Sequence, residues 1–116
     1  MNITVYGIRN CDTMKKAFAW LDEHGIEYAF HDYKKASVPV DRLFAWSKAV
    51  GWEKLANTRG PTWRKIPESA RADLDEARAL KLLLENPSAI RRPVVEWGRK
   101  LTVGFDAGEF ERMAGQ

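Results

Sequence analysis

Hydrophobic and polar positions in the first part of the chain predict a strand, a helix and a second strand. The β-branched and aromatic run from Ile3 to Tyr6 is typical of a strand and ends at Gly7. From Asp12 to His24 the apolar residues fall at helical spacing. These residues are Met14, Ala17, Phe18 and Leu21. Glu27 to Tyr33 predicts a second strand, parallel to the first, because the three elements together have the size of a βαβ unit.

The middle of the chain predicts mainly helices. One helix is expected from Pro39 to Gly51 and another from Asp75 to Glu85, where Asn86 and Pro87 end the apolar pattern. Residues 57–66 are rich in turn-forming residues and predict a loop. The middle segment therefore predicts helices joined by a loop.

The last part of the chain predicts a β-hairpin followed by a short helix. The run from Arg91 to Glu96 leads into the first strand, the turn is expected at Trp97 and Gly98, and Leu101 to Phe105 forms the returning strand. A helix is expected from Glu109 to Met113. The order βαβ, helices, ββα is that of an α/β thioredoxin-like fold with a four-stranded mixed sheet and helices inserted in its centre.

Composition and charge narrow the class of protein. With 116 residues, 45% hydrophobic and 30% charged, the chain fits one folded domain and is unlike a disordered protein. A net charge of +3 suits small anionic ligands and is not the footprint of a nucleic-acid-binding protein. The sequence has no signal-peptide core and no apolar run of membrane-spanning length. We therefore expect a cytoplasmic monomer that binds neither nucleic acid nor membrane.

Cys11 is the single cysteine, so the chain cannot form an intramolecular disulfide. It stands between the first predicted strand and helix, where unpaired N–H groups and the helix dipole stabilise a thiolate. Such a thiol has its pKa lowered from about 8.5 and is a nucleophile. The alternative is that Cys11 is a small buried apolar residue, as free cysteines often are.

Arginines are the other candidate site residues, because a guanidinium fork matches carboxylate and oxyanion geometry. Arg59 and the pair Arg91-Arg92 are the candidates, and the alternative for each is a solvated surface charge. His24 and His31 do not have the spacing of metal ligands, so we expect no metal site.

Three segments resemble signatures of the ArsC/Spx family, and the match covers essentially the whole chain. They are YGIRNCDTMKKA at 6–17, NTRGPTWR at 57–64 and RRPVV at 91–95. The residues of all three segments are most similar to those of the YffB-like subgroup. The resemblance implies a single domain over 1–116 with a thioredoxin fold and a helical insertion at about 39–90.

The resemblance also implies a set of site residues. Cys11 would be the nucleophile, and Arg59 and Arg92 would bind anions or glutathione, together with Asn10 and Thr13, which flank Cys11. The Arg92–Pro93 bond would be cis. Glutathione or glutaredoxin would supply the resolving thiol, as a co-substrate and not as a bound cofactor. The single cysteine independently requires an outside thiol.

Three positions differ from patterns in the family. Arsenate reductases carry a histidine where this chain has Gly7, and an arginine where it has Val103; Spx-type regulators commonly carry a second cysteine where it has Met14. The leading hypothesis is therefore a glutathione-dependent thiol reductase acting on a small thiol or oxyanion substrate. The alternatives are an arsenate reductase that uses the same residues and a non-catalytic Spx-like regulator that binds a protein partner.

Overall fold

The computed structural model describes residues 2–115, which divide into two compact units. The first unit consists of the chain up to Ser37 and the chain from Arg92 onward, and the second of Val38–Arg91. The helices in chain order are α1 (Asp12–Glu23), α2 (Tyr33–Ala36), α3 (Val40–Val50), α4 (Trp52–Leu55), α5 (Pro61–Lys65), α6 (Glu68–Arg71), α7 (Glu76–Glu85) and α8 (Ala107–Ala114), with a 3₁₀ turn at Pro87–Ala89. The single domain over 1–116, with an insertion at about 39–90, stays a prediction.

The first unit is built on a four-stranded mixed sheet in the order β2-β1-β3-β4. The strands are β1 (Ile3–Gly7), β2 (Ala29–Asp32), β3 (Val94–Trp97) and β4 (Lys100–Val103). β1 and β2 are parallel, whereas β3 is antiparallel to both β1 and β4. This arrangement confirms the predicted thioredoxin-like fold and the parallel pairing of the first two strands.

The core of this unit lies on the sheet face covered by α1 and α8. Because strand residues alternate between faces, the side chains of Ile3 and Val5 point toward this core, Gly7 lies on the same face, and the side chain of Tyr6 points to the opposite face. The buried residues of the core are Ile3, Val5, Met14, Ala17, Leu21, Val95, Trp97 and Phe110. The helical spacing of Met14, Ala17 and Leu21 thus gives α1 the apolar stripe that fixes its first turn at the edge of the sheet.

The predicted end of the second strand and the predicted hairpin turn are wrong, whereas the other predicted elements of the first unit are present with ends that differ by a few residues. The second strand ends at Asp32, because this residue accepts a hydrogen bond from the Lys34 N–H at 2.9 Å and caps α2, which Tyr33 begins. The hairpin turn lies after Trp97 and not at it. Trp97 is buried in β3 and its Nε1 donates to the Thr102 hydroxyl at 3.0 Å, whereas Gly98 has φ 64° and makes the turn.

The second unit is helical, as its sequence predicts. α3 and α7 are connected by a hydrogen bond of 2.7 Å from the Ser47 hydroxyl to Glu76, which also pairs with Lys48 at 2.8 Å. The prediction of a loop over 57–66 is wrong in its second half, which forms α5. Pro61 begins that helix, a position that suits proline, and Trp63 is buried within it at 5% exposure. No helix between residues 2 and 115 is long and apolar enough to cross a membrane.

Candidate active site

Three separate segments of the first unit meet at the same edge of its sheet. β1 and β2 are parallel, so both end there, and β3 is antiparallel to them, so it begins there. Gly7 pairs with Asp32, and Tyr6 pairs with Val94. The residues just beyond these pairs therefore meet at this edge: the loop that carries Cys11, the start of α2, and Arg92 with Pro93.

Cys11 is the N-cap residue of α1 and is partly buried. Its backbone is extended, with φ −148° and ψ 133°, and its carbonyl accepts the first helical hydrogen bond from the Lys15 N–H at 2.9 Å. The Cys11 side chain makes no capping hydrogen bond to the first turn of α1. The N–H groups of Thr13 and Met14 at the start of the helix nevertheless act to lower the pKa of its thiol, because they favour the negatively charged form.

The surroundings of Cys11 lower the pKa of its thiol. Burial is the largest single influence and acts to raise the pKa. It is outweighed by the combined effect of the Met14 N–H, a hydrogen bond from the Arg92 side chain, the Thr13 N–H and the positive charge of Arg92. The site therefore favours the thiolate, which is the nucleophilic form of cysteine.

Arg92 is the side chain that links the start of β3 to Cys11. Arg92 is partly buried, and its Nε atom is inaccessible to solvent. Its side chain hydrogen bonds to the Cys11 sulfur. The following peptide bond, Arg92–Pro93, is cis. Arg91, in contrast, is exposed, and its backbone N–H donates to the Leu55 carbonyl at 2.7 Å.

The other predicted site residues occupy different positions. Asn10 is exposed in the bend before α1, and Thr13 is exposed in its first turn, where its backbone N–H serves Cys11. Arg59 belongs to the second unit and is exposed in the turn that precedes α5. Anion or glutathione binding by Asn10, Thr13, Arg59 and Arg92 stays a prediction. Among residues 2–115, no group of three or more acidic, histidine or cysteine side chains could hold a metal.

Two of the positions that differ from family patterns are in contact with each other. A Cβ atom on Gly7 would lie 2.6 Å from the Met14 sulfur and 2.8 Å from its terminal methyl group. Met14 is completely buried, so its thioether fills the space that a side chain at position 7 would need. The third position, Val103, is buried in β4 opposite Val94 and carries no charge.

Sequence interpretation missed the polar residues on the sheet face opposite the core. The Tyr6 hydroxyl donates to Glu96 at 2.8 Å, and the Tyr6 ring lies 5.2 Å from that of His31. Tyr33 follows, with its ring 6.2 Å from that of His31. Alternation along β1 and β3 was the available signal, because it places Tyr6 and Glu96 on one face once the two strands are paired.

We expect alkylation of Cys11 to titrate at a pH below the ordinary cysteine value of about 8.5, because the site stabilises the thiolate. The measurement is the rate of iodoacetamide reaction as a function of pH. The single cysteine makes the signal unambiguous. The same titration in denaturant is the control and should return the ordinary value. A native midpoint at or above about 8.5 would contradict the proposed stabilisation of the thiolate.

Solved structures of related proteins share this fold. A protein named YffB is 46% identical and superposes with a TM-score of 0.94, over 97% of this chain and 98% of that one. An arsenate reductase (ArsC) related protein from Brucella melitensis is 50% identical, with a TM-score of 0.77, over 97% of this chain and 93% of its own.

Relatives named as regulators are more distant. The global transcriptional regulator Spx of Enterococcus faecalis is 31% identical over 95% of this chain and 84% of its own length. The model of the ArsC family matches residues 6–113, which include Cys11, Arg92 and the Gly7–Asp32 and Tyr6–Val94 pairs at the site. The chain therefore belongs to the ArsC family.

Proposed function

We propose that this protein is a glutathione-dependent thiol reductase in which Cys11 is the catalytic nucleophile. The observation that carries the proposal is the contact between Cys11, at the start of α1, and the Arg92 side chain. A reductase of this kind needs a thiolate near neutral pH and a fixed cation beside it. Membership of a family with arsenate reductase-related members supports the same chemistry.

The proposed reaction proceeds in two thiol–disulfide exchanges. The Cys11 thiolate attacks the glutathione sulfur of a mixed disulfide, the substrate S–S bond breaks, and the substrate leaves as a thiolate that takes up a proton. A second glutathione, as its thiolate, then attacks the glutathione sulfur on Cys11. Oxidised glutathione leaves and the Cys11 thiolate is restored. Over both exchanges, the mixed disulfide and one molecule of reduced glutathione are converted to the substrate thiol and one molecule of oxidised glutathione.

Arg92 has two proposed roles in this reaction. Its positive charge keeps Cys11 ionised, which makes the sulfur both a ready nucleophile and a good leaving group in the second exchange. Its guanidinium also offers N–H donors to a carboxylate of glutathione or to an oxyanion substrate. Reduction of arsenate by the same residues is the less favoured alternative, because Gly7 and Val103 supply neither an imidazole nor a cation.

We expect the protein to take up one glutathione on Cys11 and to release it to free thiol. Incubation with oxidised glutathione should increase the intact mass by one glutathione, because the thiolate attacks the disulfide. Cys11→Ser is the matched control and should show no increase. Added reduced glutathione should then restore the original mass, and an arm with glutaredoxin tests the other proposed donor. A wild-type protein that forms no adduct would overturn the proposal.

The similarity to Spx supports a second candidate, a regulator that binds a protein partner without catalysis. The two candidates differ in turnover. A reductase should convert a glutathione mixed disulfide repeatedly in the presence of excess glutathione, whereas a regulator should form at most one adduct. Met14 replaces the second cysteine of the Spx pattern, so an intramolecular disulfide cannot serve as the regulatory signal in this chain.

A further inference from the structure

Two buried tyrosines on the sheet face opposite the core, Tyr6 and Tyr33, differ in the hydrogen bonding of their hydroxyl groups. Both residues are 7% exposed. The Tyr6 hydroxyl donates to Glu96 at 2.8 Å, whereas the Tyr33 hydroxyl is fully buried and has no hydrogen-bonding protein group within reach. Buried hydroxyls in native proteins almost always have a partner, so the position of Tyr33 calls for a functional explanation.

The neighbours of Tyr33 include Arg92, the positively charged side chain beside Cys11. Burial, the Tyr6 hydroxyl and the charge of Glu96 all raise the pKa of Tyr33, and only Arg92 opposes them. The phenol therefore keeps its proton at physiological pH and can donate it in a hydrogen bond. The backbone supports this proximity, because Tyr33 follows the Gly7–Asp32 pair and Arg92 precedes the Tyr6–Val94 pair at the same sheet edge.

We infer that the Tyr33 hydroxyl is a further ligand-binding group, which donates a hydrogen bond to the anion that Arg92 holds beside Cys11. The anion is a carboxylate or an inorganic oxyanion, since either brings acceptor lone pairs to a donor that lacks an acceptor. The hydroxyl is covered in the free protein, so engagement includes a small shift of the Tyr33 side chain. This inference rests on the proposed function, because it takes the ligand of Arg92 to be anionic.

Three tyrosine-to-phenylalanine variants test this role, since each removes one hydroxyl and nothing else. Tyr6→Phe breaks a satisfied hydrogen bond and should lower the thermal midpoint by about 4 °C. Tyr33→Phe should not lower it, because the hydroxyl it removes has no protein partner. Tyr28→Phe is the control for binding, because the Tyr28 hydroxyl is exposed and lies 3.5 Å from Asp22.

Binding is measured as protection of Cys11 from iodoacetamide by two probes, inorganic phosphate and S-methylglutathione, which cannot form a disulfide. Tyr33→Phe should weaken protection about tenfold, the effect of one hydrogen bond to a charged group, and Tyr28→Phe should leave it unchanged. A loss confined to phosphate identifies an inorganic oxyanion as the ligand of Tyr33. A loss confined to S-methylglutathione identifies a carboxylate.

Two results would overturn the inference. One is wild-type protection of Tyr33→Phe by both probes, and the other is a fall in its thermal midpoint like that of Tyr6→Phe, which would show a structural hydroxyl. The proposed function is judged separately, by the glutathione adduct on wild-type Cys11. If the adduct forms and is released while Tyr33→Phe binds both probes normally, only the inference about Tyr33 fails.

Discussion

Replacing Arg92 by alanine should raise the pKa of the Cys11 thiol and weaken binding of an anionic ligand by about 1.5–3 kcal/mol. The pKa should rise because the variant removes both a hydrogen bond to the sulfur and a nearby positive charge, while the burial that opposes ionisation remains. Cys11 alkylation as a function of pH measures the first effect. Protection of Cys11 by S-methylglutathione measures the second.

Two further variants test whether the effect of Arg92→Ala is due to the guanidinium group of Arg92 and not to the loss of any nearby positive charge. Arg92→Lys should restore the charge without the planar fork, so the recovery of both quantities should be partial. Arg91→Ala removes a neighbouring but exposed charge and should change binding by no more than about 1 kcal/mol. If Arg91→Ala were as damaging as Arg92→Ala, the assignment of Arg92 to the site would be wrong.

Introducing histidine at Gly7 should destabilise the fold by about 1–3 kcal/mol, the usual range for overpacking a core, because the buried thioether of Met14 would have to move. The reason is steric, since even a Cβ atom there would lie within 3 Å of the Met14 sulfur and methyl group, and Met14 is completely buried. The free energy of unfolding in urea measures the effect.

The contact between Gly7 and Met14 also predicts non-additivity. Met14→Ala alone should cost about 2–5 kcal/mol, because it leaves a cavity in the core. In the double variant the histidine occupies part of that cavity, so the loss should be smaller than the sum of the single losses. Additive losses would show that the two positions do not compete for the same space.

Much of the fold follows from local sequence patterns, because apolar spacing and turn residues act within a few positions. The spacing of Met14, Ala17 and Leu21 fixes α1, and the N-cap position of Cys11 follows from it. The helix α5 was not predicted, because the turn-forming residues around Pro61 conceal a single helical turn that the burial of Trp63 stabilises. Burial of one residue is a tertiary effect that a local pattern does not show.

The sequence predicts the site residues whose chemistry is evident from their residue type. It does not predict those whose role depends on how the surrounding side chains pack. Cys11 and Arg92 stand out by residue type and by family resemblance. Tyr33 does not, because an unmatched hydroxyl becomes visible only when every neighbouring donor and acceptor is located. The contact between Gly7 and Met14 was likewise hidden, since it depends on the depth of Met14 in the core.

The pairing of β1 with β3 determines when the thiol becomes reactive during synthesis of the protein. Cys11 leaves the ribosome before the second unit, whereas Arg92 follows only after the entire second unit has been made. Until β3 docks beside β1, the sulfur lacks the cation and the hydrogen bond that Arg92 supplies. A chain in which β3 has not paired with β1 therefore has only the N–H groups of α1 to stabilise the thiolate, and the full lowering of the Cys11 pKa requires that pairing.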